Sequence, residues 1–187
     1  MAAGKFAEAV AEGRVFSVST VVAGLSIPIS TTTAPNILLW NPADSGVCLN
    51  LLRYTAAYVS GTTVAGAIGF QSMSVGSRGI TGQTNAAIGN ITQSTITNAL
   101  IGSGAVSKAR ASSAQTNAIV AVVKFHPIGL SLHAAIATSA ISAYLLKYDF
   151  DGLYQLLPGT ACFPCASAAS GALYAQTLYW EEAPMCD

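Results

Sequence analysis

Short runs of β-branched and aromatic residues, separated by links rich in Gly, Ser, Thr and Asn, recur along most of the chain. After Arg14 the chain reads VFSVSTVV, residues 37–40 read ILLW, and residues 47–59 read VCLNLLRYTAAYV. Such runs are typical of β-strands. About eight of them are present, so the pattern predicts an all-β fold, a β-sandwich or a jelly-roll.

The clearest local prediction is a hairpin around residues 37–59, because the turn sequence NPADSG separates two apolar runs. Before it, Ser26–Ser30 is predicted as a strand at an edge or bend, where Pro28 is tolerated. Near the C-terminus, residues 171–184 read GALYAQTLYWEEAP and alternate in character. This alternation predicts a strand that ends at Glu181.

Three further segments carry weaker patterns. Residues 64–71 and 117–125 are predicted strands. Residues 128–148 read IGLSLHAAIATSAISAYLLKY, which fits one or two strands or an Ala-rich helix, with a membrane span as an alternative. Residues 72–113 hold many polar residues around isolated isoleucines. They are interpreted as a long, extended polar insertion that takes part in an interface.

The predicted organisation is an N-terminal arm at 1–13 and a single β-sandwich domain at 14–187, with the insertion at about 72–113. Phe6 and Val10 lie four residues apart, and Gly13 can end a helix, so the arm is predicted as a short amphipathic helix. A disordered tail is the alternative. Its acids, Glu8 and Glu12, leave no uninterrupted apolar core for a signal peptide, so synthesis in a cytoplasm is expected.

Charge is scarce in this chain, and that changes the functional picture. Only 9% of the residues are charged and 52% are hydrophobic, whereas a typical soluble domain is roughly one-quarter charged. Broad, weakly charged surfaces suit subunit interfaces, so we expect a homo-oligomer. The formal net charge is +0, which argues against a nucleic-acid partner.

The sharpest chemical motif is Cys162-Phe-Pro-Cys165, which has the spacing of a zinc half-site or of a redox pair. A zinc site needs a second pair of ligands, and only Cys48 and Cys186 are left to supply it. A redox pair should begin a helix in an α/β domain. Free thiols are therefore predicted, with a disulfide or a metal as alternatives.

The other titratable residues form no recognisable constellation. His126 and His133 lie far in sequence from any carboxylate, and Asp149 and Asp151 fit a turn better than a calcium loop. Glu181 and Glu182 are adjacent, so on a strand they face opposite sides and are interpreted as a solvated or interfacial strand end. The sequence predicts that the protein is not an enzyme, and it indicates no catalytic, cofactor-binding or metal-ligating residue.

Two stretches carry a family resemblance. ILLWNPADSGVCLNLLRYTAAYVSGTTVAGAIGF and LYAQTLYWEEAP resemble phage virion proteins in which an apolar strand leads into an N-P-x-x-S-G turn and the chain ends near W-E-E-x-P. The resemblance covers about a third of the chain and carries over no active-site residues. The Cys162/Cys165 pair and the polar insertion depart from the pattern.

The resemblance implies a trimeric decoration, or cement, protein on the capsid surface that binds the major capsid protein and no membrane. Residues 1–16 and 72–113 are then the expected contact regions. One alternative is a head-fibre or tail component that displays Tyr148, Phe150 and Tyr154 to a host surface. Another is a carbohydrate-binding module, in which Trp40 and Trp180 would have to line one groove.

Overall fold

The computed structural model describes residues 6–29, 35–62, 64, 66–74, 94–113, 125–130 and 145–185. These residues form an all-β protein, in which two antiparallel sheets make a sandwich-like arrangement of eleven strands, so the predicted fold class is confirmed. The elements are α1 (Ala7–Ala11), β1 (Val15–Ser19), β2 (Leu38–Asn41), β3 (Val47–Ser60), β4 (Ala67–Ser74), β5 (Thr97–Asn98), β6 (Arg110–Ser112), β7 (Phe125–Leu130), β8 (Leu145–Asp149), β9 (Gln155–Leu156), β10 (Thr160–Ala166) and β11 (Leu173–Pro184).

Sheet A has the strand order β5-β1-β11-β3-β8, and β9 also pairs with β3. Strand β11 is the predicted C-terminal strand, although it continues to Pro184, three residues beyond the predicted end at Glu181. Its alternate residues Tyr174, Gln176, Leu178 and Trp180 are buried, whereas the residues between them are only partly covered. This period of two is that of a strand with one face on the core.

Sheet B has the strand order β6-β2-β10-β4-β7, and its central strand β10 was not predicted as a strand. Pro164 has no backbone N–H to donate to a neighbouring strand, and proline is therefore rare in a central strand. Its position explains why it is tolerated, because the β10–β2 pairing ends at Cys162 and only β4 pairs with β10 at Pro164 itself.

Aromatic rings fill the space between the sheets. Tyr54 of sheet A meets Phe70 of sheet B edge to face, with ring centroids 5.1 Å apart, and Phe70 meets Phe150 in the same way at 5.1 Å. Trp180 stacks on Phe16 at 6.3 Å. Such pairs add about 0.5–1.5 kcal/mol each beyond the area they bury.

The predicted hairpin at residues 37–59 is wrong, although both of its strands are present. Strand β2 belongs to sheet B and β3 to sheet A, so the turn between them connects the two sheets. The buried side chain of Asn41 holds this connection, because its Nδ2 donates to the carbonyls of Val47 and Leu156, both at 2.8 Å. All four residues of β2 are buried, which a half-exposed hairpin would not achieve.

The predicted strand at Ser26–Ser30 is also wrong for its described residues, 26–29. The chain makes two isolated bridges here, Leu25 with Tyr174 of sheet A and Ile29 with Ala166 of sheet B. The carbonyl of Pro28 accepts a hydrogen bond from the Ala166 N–H at 2.8 Å. This segment crosses between the sheets and extends neither of them.

The N-terminal arm forms the short helix α1, and Gly13 follows it with a φ of 71°, as its predicted role as the helix stop requires. Phe6 and Val10 pack with Ala9 against Val15 and Leu52, on the face of sheet A that points away from the core. Among the described residues no helix is long and apolar enough to cross a membrane.

The predicted polar insertion at 72–113 contributes to both sheets. Residues 72–74 end β4, and β5 and β6 occupy two further short parts of the insertion. Residues 75–93 lie outside the described residues, as do most of the predicted strand at 117–125 and the middle of 128–148. The two ends of 128–148 belong to β7 and β8.

Candidate interaction surfaces

A buried carboxylate at the end of β11 anchors the loop between β5 and β6. Glu182 is only 8% exposed, and its Oε1 accepts hydrogen bonds from the backbone N–H of Lys108 at 2.8 Å and of Ala109 at 3.2 Å. The Ser107 hydroxyl donates to the same oxygen. Three donors on one carboxylate oxygen satisfy a charge that would otherwise be costly to bury. The predicted solvated or interfacial strand end is therefore wrong for Glu182.

The other end of the same loop is hydrogen-bonded to residues at and just before the start of β1. Asn98 Nδ2 donates to the Gly13 carbonyl at 2.7 Å, and the Ala99 N–H donates to the Val15 carbonyl at 2.8 Å. Asn98 Oδ1 accepts from the Leu100 N–H at 2.8 Å. With both ends bound, residues 99–109 form a defined loop on the surface.

This loop displays aliphatic side chains to solvent. Ile101 is 96% exposed and Val106 is 85% exposed, and Leu100 is exposed as well. We call these three residues the loop patch. Residues 94–107 contain no charged side chain. Lys108, near the end of the loop, is the charged residue closest in sequence to this patch. A well-anchored loop with exposed aliphatic tips is a feature of protein-binding surfaces.

A second group of exposed aliphatic residues, the valine patch, consists of Val21, Val22 and Val59, with Val22 91% exposed. The turn that carries Val21 and Val22 ends at Gly24, which has a φ of 76° and lies against Val59. Leu25 then bridges to Tyr174, each N–H donating to the other's carbonyl. Residues 15–29 and 54–62 contain no charged side chain, so this patch is also uncharged.

The two patches lie at opposite ends of β11. The valine patch adjoins Tyr174 and the loop patch is anchored by Glu182, eight residues further along the strand. At about 3.3 Å per residue this separation is roughly 26 Å.

The predicted Cys162-Phe-Pro-Cys165 motif does not bring its two thiols together, because it lies on a β-strand. Cys162 and Cys165 lie three positions apart in β10, so their side chains point to opposite faces of sheet B. Both thiols are free, and burial raises both pKa values, that of Cys165 to about 12. Cys48 is also free, and Cys186 lies outside the described residues. No group of three His, Cys, Asp or Glu side chains in the described part of the chain could hold a metal ion.

The other described titratable residues from the sequence analysis, His126, Asp149 and Asp151, each have different local surroundings. The His126 ring contacts Tyr154, with centroids 5.3 Å apart, and His133 lies outside the described residues. Asp149 pairs with Arg53 at 2.5 Å, and this hydrogen bond lowers the pKa of Asp149. Asp151 occupies the predicted turn with a φ of 53°.

Glu181 pairs with Arg14, whereas its neighbour Glu182 binds the loop at residues 107–109, so the two adjacent carboxylates have different partners. To predict this role for Glu182, one would have had to know that residues 107–109 lie beside it. Because they lie more than 70 positions earlier in the chain, the sequence offered no local signal for the contact.

The aromatic residues considered for recognition lie mainly inside the molecule. Phe150 is buried and contacts both Tyr148 and Tyr154, with ring centroids at 5.0 and 5.6 Å. Trp180 is buried in sheet A and Trp40 in sheet B, so they do not line one groove.

Trp40 nevertheless has one contact at the surface, because Arg110, itself exposed, lies over its ring at 5.2 Å.

The loop patch and the valine patch are the candidate functional surfaces of the described residues. Comparison with protein-family models, curated proteins and solved structures found no match to this chain.

Proposed function

We propose that this chain is a structural subunit of a phage virion that decorates the capsid and stabilises it by bridging capsomers. The observation that carries this proposal is the loop at residues 99–109, which is bound at both ends and exposes Ile101 and Val106 almost completely. Ordering this loop before binding lowers the entropic cost of forming a contact.

The low charge of the chain supports the same function. A chain in which 9% of the residues are charged is poorly suited to a solitary soluble protein and well suited to broad contacts with other subunits. The loop patch falls within residues 72–113, one of the two expected contact regions. In the other, the described helix α1 already packs on its own sheet, so the loop is the better-supported contact.

Decoration has a simple thermodynamic basis. A protein that binds the assembled shell and not its separated subunits shifts the equilibrium toward the shell by mass action. Such a protein needs binding surfaces and no reactive groups. The two uncharged patches would supply those surfaces.

The alternative functions receive less support from the geometry. A receptor-binding fibre should expose Phe150, which is buried in the core. A carbohydrate-binding module should place Trp40 and Trp180 in one groove, and they are buried in different sheets.

Co-sedimentation with decoration-free shells of the corresponding phage tests the proposal. We expect saturable binding and a shell that withstands higher temperature once the protein is bound. A protein that leaves such shells unbound contradicts the proposal. If it then binds host cells, a head-fibre or tail role replaces decoration.

A further inference from the structure

We infer that two copies of this chain pair through β8, an edge strand of sheet A, so that their A sheets join across a two-fold axis. The partner of this edge is a second copy, in an antiparallel register centred on Tyr148. The inference does not depend on capsid decoration, because β8 and β5 lie at opposite edges of sheet A and the loop patch follows β5. At about 4.8 Å between neighbouring strands, the two edges are roughly 19 Å apart.

One side of β8 has no neighbouring strand among the described residues. Strand β3 pairs with the other side, and just beyond β8 the Phe150 N–H donates to the Leu52 carbonyl at 2.9 Å. In an antiparallel ladder, alternate residues bond to the neighbouring strand, and the residues between them point their N–H and C=O groups the opposite way. Tyr148 therefore bonds to β3, as Phe150 does. Lys147 and Asp149 direct their backbone groups outward, where a further strand can pair with them.

The hydrogen bonds on the opposite side of β3 give the same assignment. The Thr20 N–H donates to the Gln176 carbonyl at 2.9 Å, so Gln176 bonds toward β1 and its neighbour Thr177 bonds toward β3. Thr55, the partner of Thr177, then points its backbone groups at β11 and away from β8. Lys147 lies opposite Thr55, and its N–H and C=O are consequently on the unpaired side of β8.

Strand β8 differs from the other described edge strands in length and composition. Strands β5 and β6 contain only two and three residues, so they offer few backbone groups to a partner. Strand β7 contains Pro127, which has no N–H to donate. Strand β8 has five residues, Leu145–Asp149, and no proline. Of the described edges it is therefore the one that a further strand fits best.

The charged side chains make this edge complementary to itself. Lys147 and Asp149 are on the same face of β8, with Nζ and Oδ2 3.4 Å apart. In an antiparallel pair centred on Tyr148, Lys147 lies opposite Asp149 of the second copy, and Asp149 lies opposite its Lys147. Each of these pairs also exchanges its backbone hydrogen bonds. Registers centred on Lys147 or on Asp149 would instead place like charges opposite each other, which is destabilising.

This order of charges favours a second copy over an unrelated strand. A lysine on an edge strand ordinarily discourages pairing, and a partner without an acid at the facing position would leave Lys147 without a counter-charge. A second β8 supplies that acid twice, once on each copy. At the ends of the pair, Leu145 lies opposite Asp151 of the second copy, in the turn that carries Leu153. Both leucines are exposed, by 59% and 78%, so each end adds an apolar contact.

The proposed contact is isologous, so it closes on itself and produces a dimer. The trimer implied by the family resemblance would require a further contact at another surface. Pairing over five residues buries a small area, and we expect a dimer that dissociates on dilution.

Charge reversal tests the inference. Lys147→Asp and Asp149→Lys each place like charges opposite one another in a pair of identical copies, so each should raise the dimer dissociation constant at least about tenfold at low salt. An equimolar mixture of the two variants places unlike charges opposite and should form dimers of about twice 19.0 kDa. The control is Asp44→Lys, which reverses an exposed charge outside β8 and should keep the wild-type mass. Sedimentation equilibrium measures all four samples.

A cross-linking experiment tests the register and covers the case in which a charge variant fails to fold. In the predicted register the Cα atoms of Lys147 and of Asp149 of the second copy are about 5.5 Å apart, within the range of a disulfide. In a background with Cys186→Ser, copies with Lys147→Cys and copies with Asp149→Cys should therefore cross-link on mild oxidation when mixed. Copies with Asp44→Cys mixed with Asp149→Cys copies provide the background level. Cross-linking no greater than this background overturns the inference.

Three results in solution would also overturn it. They are a wild-type protein that stays monomeric up to about 1 mM, single charge variants that keep the wild-type mass, and monomeric variants whose mixture stays monomeric. Shell binding is scored separately, because the loop patch is at the other edge of sheet A. Monomeric Lys147→Asp that still binds shells supports both proposals. Dimers that leave shells unbound support the pairing through β8 and contradict decoration.

Discussion

The Tyr54 hydroxyl donates a hydrogen bond to Gln176 Oε1 at 2.8 Å between two neighbouring strands of sheet A, where both side chains are buried. Gln176 is also bound to the crossing segment, because its Nε2 donates to the Leu25 carbonyl at 3.2 Å and its N–H donates to Thr20 Oγ1 at 2.9 Å. This buried network connects Thr20 and Leu25 to the centre of sheet A. These two residues flank the turn that carries Val21 and Val22 of the valine patch.

Replacing Tyr54 with Phe should lower the free energy of unfolding by about 1–3 kcal/mol, because Gln176 Oε1 is left buried without its donor. Urea denaturation measures the change. The control is Tyr58→Phe, which removes a hydroxyl bound to the Gly61 carbonyl at an exposed position and should cost less than about 1 kcal/mol. Equal losses for both variants would contradict the importance of the buried network.

Alkaline pH should destabilise the protein through its buried thiols. Burial raises the pKa of Cys165 to about 12, against an ordinary value of 9.0, and it raises that of Cys162 as well. Because both folded values lie above the unfolded one, this stabilisation is complete below about pH 9 and is lost as the pH rises toward the folded values.

The double variant C162A/C165A lacks this contribution. Its urea midpoint should therefore fall less than that of the wild type between pH 8 and pH 11, a range chosen to bracket the unfolded thiol pKa of about 8.5–9. Parallel curves for the two proteins would show that the thiols do not titrate on unfolding.

Replacing Glu182 with Ala should loosen the loop at residues 99–109 while the sheets remain folded. Hydrogen bonds to a charged group contribute about 1.5–3 kcal/mol each, and the loop donates three to Glu182. Amide hydrogen exchange should accelerate at Lys108 and Ala109 and change little at Leu178.

Glu181→Ala is the matched control, since it removes the same charge from the adjacent, more exposed position. A surface ion pair contributes about 0–1 kcal/mol, so this variant should leave the loop protected. Unchanged exchange in Glu182→Ala would mean that the loop is ordered by its other contacts.

Removing the carboxylate of Asp149 should have a small effect that depends on salt. The hydrogen bond from Arg53 lowers the pKa of Asp149 below 3.8, so this contribution is present above that pH and lost as the pH falls through the folded value. Both side chains are partly exposed, and Asp149→Asn should therefore cost less than about 1 kcal/mol at low salt and almost nothing at about 1 M salt. Thermal unfolding measures this, and a loss above about 2 kcal/mol would contradict it.

Local patterns were reliable wherever one strand face meets the core. The alternation in β11 predicted a strand, because a period of two follows from backbone geometry alone, and the structure shows which of its two faces is buried. The same reasoning missed β10, whose residues from Ala161 onward are buried on both faces and show no alternation. Its Cys-x-x-Cys spacing suggested a chemical motif, and the extended backbone places the two thiols on opposite sides.

The amino-acid sequence by itself determined the all-β class, the helical arm with its stop at Gly13 and the scarcity of charge. Each depends on neighbouring residues or on composition. Only the tertiary structure decided that β2 and β3 lie in different sheets, and that Glu182 holds residues 107–109. Both are contacts between strands or segments whose partners lie far away in sequence, and the free energy of such contacts depends on the whole packed arrangement.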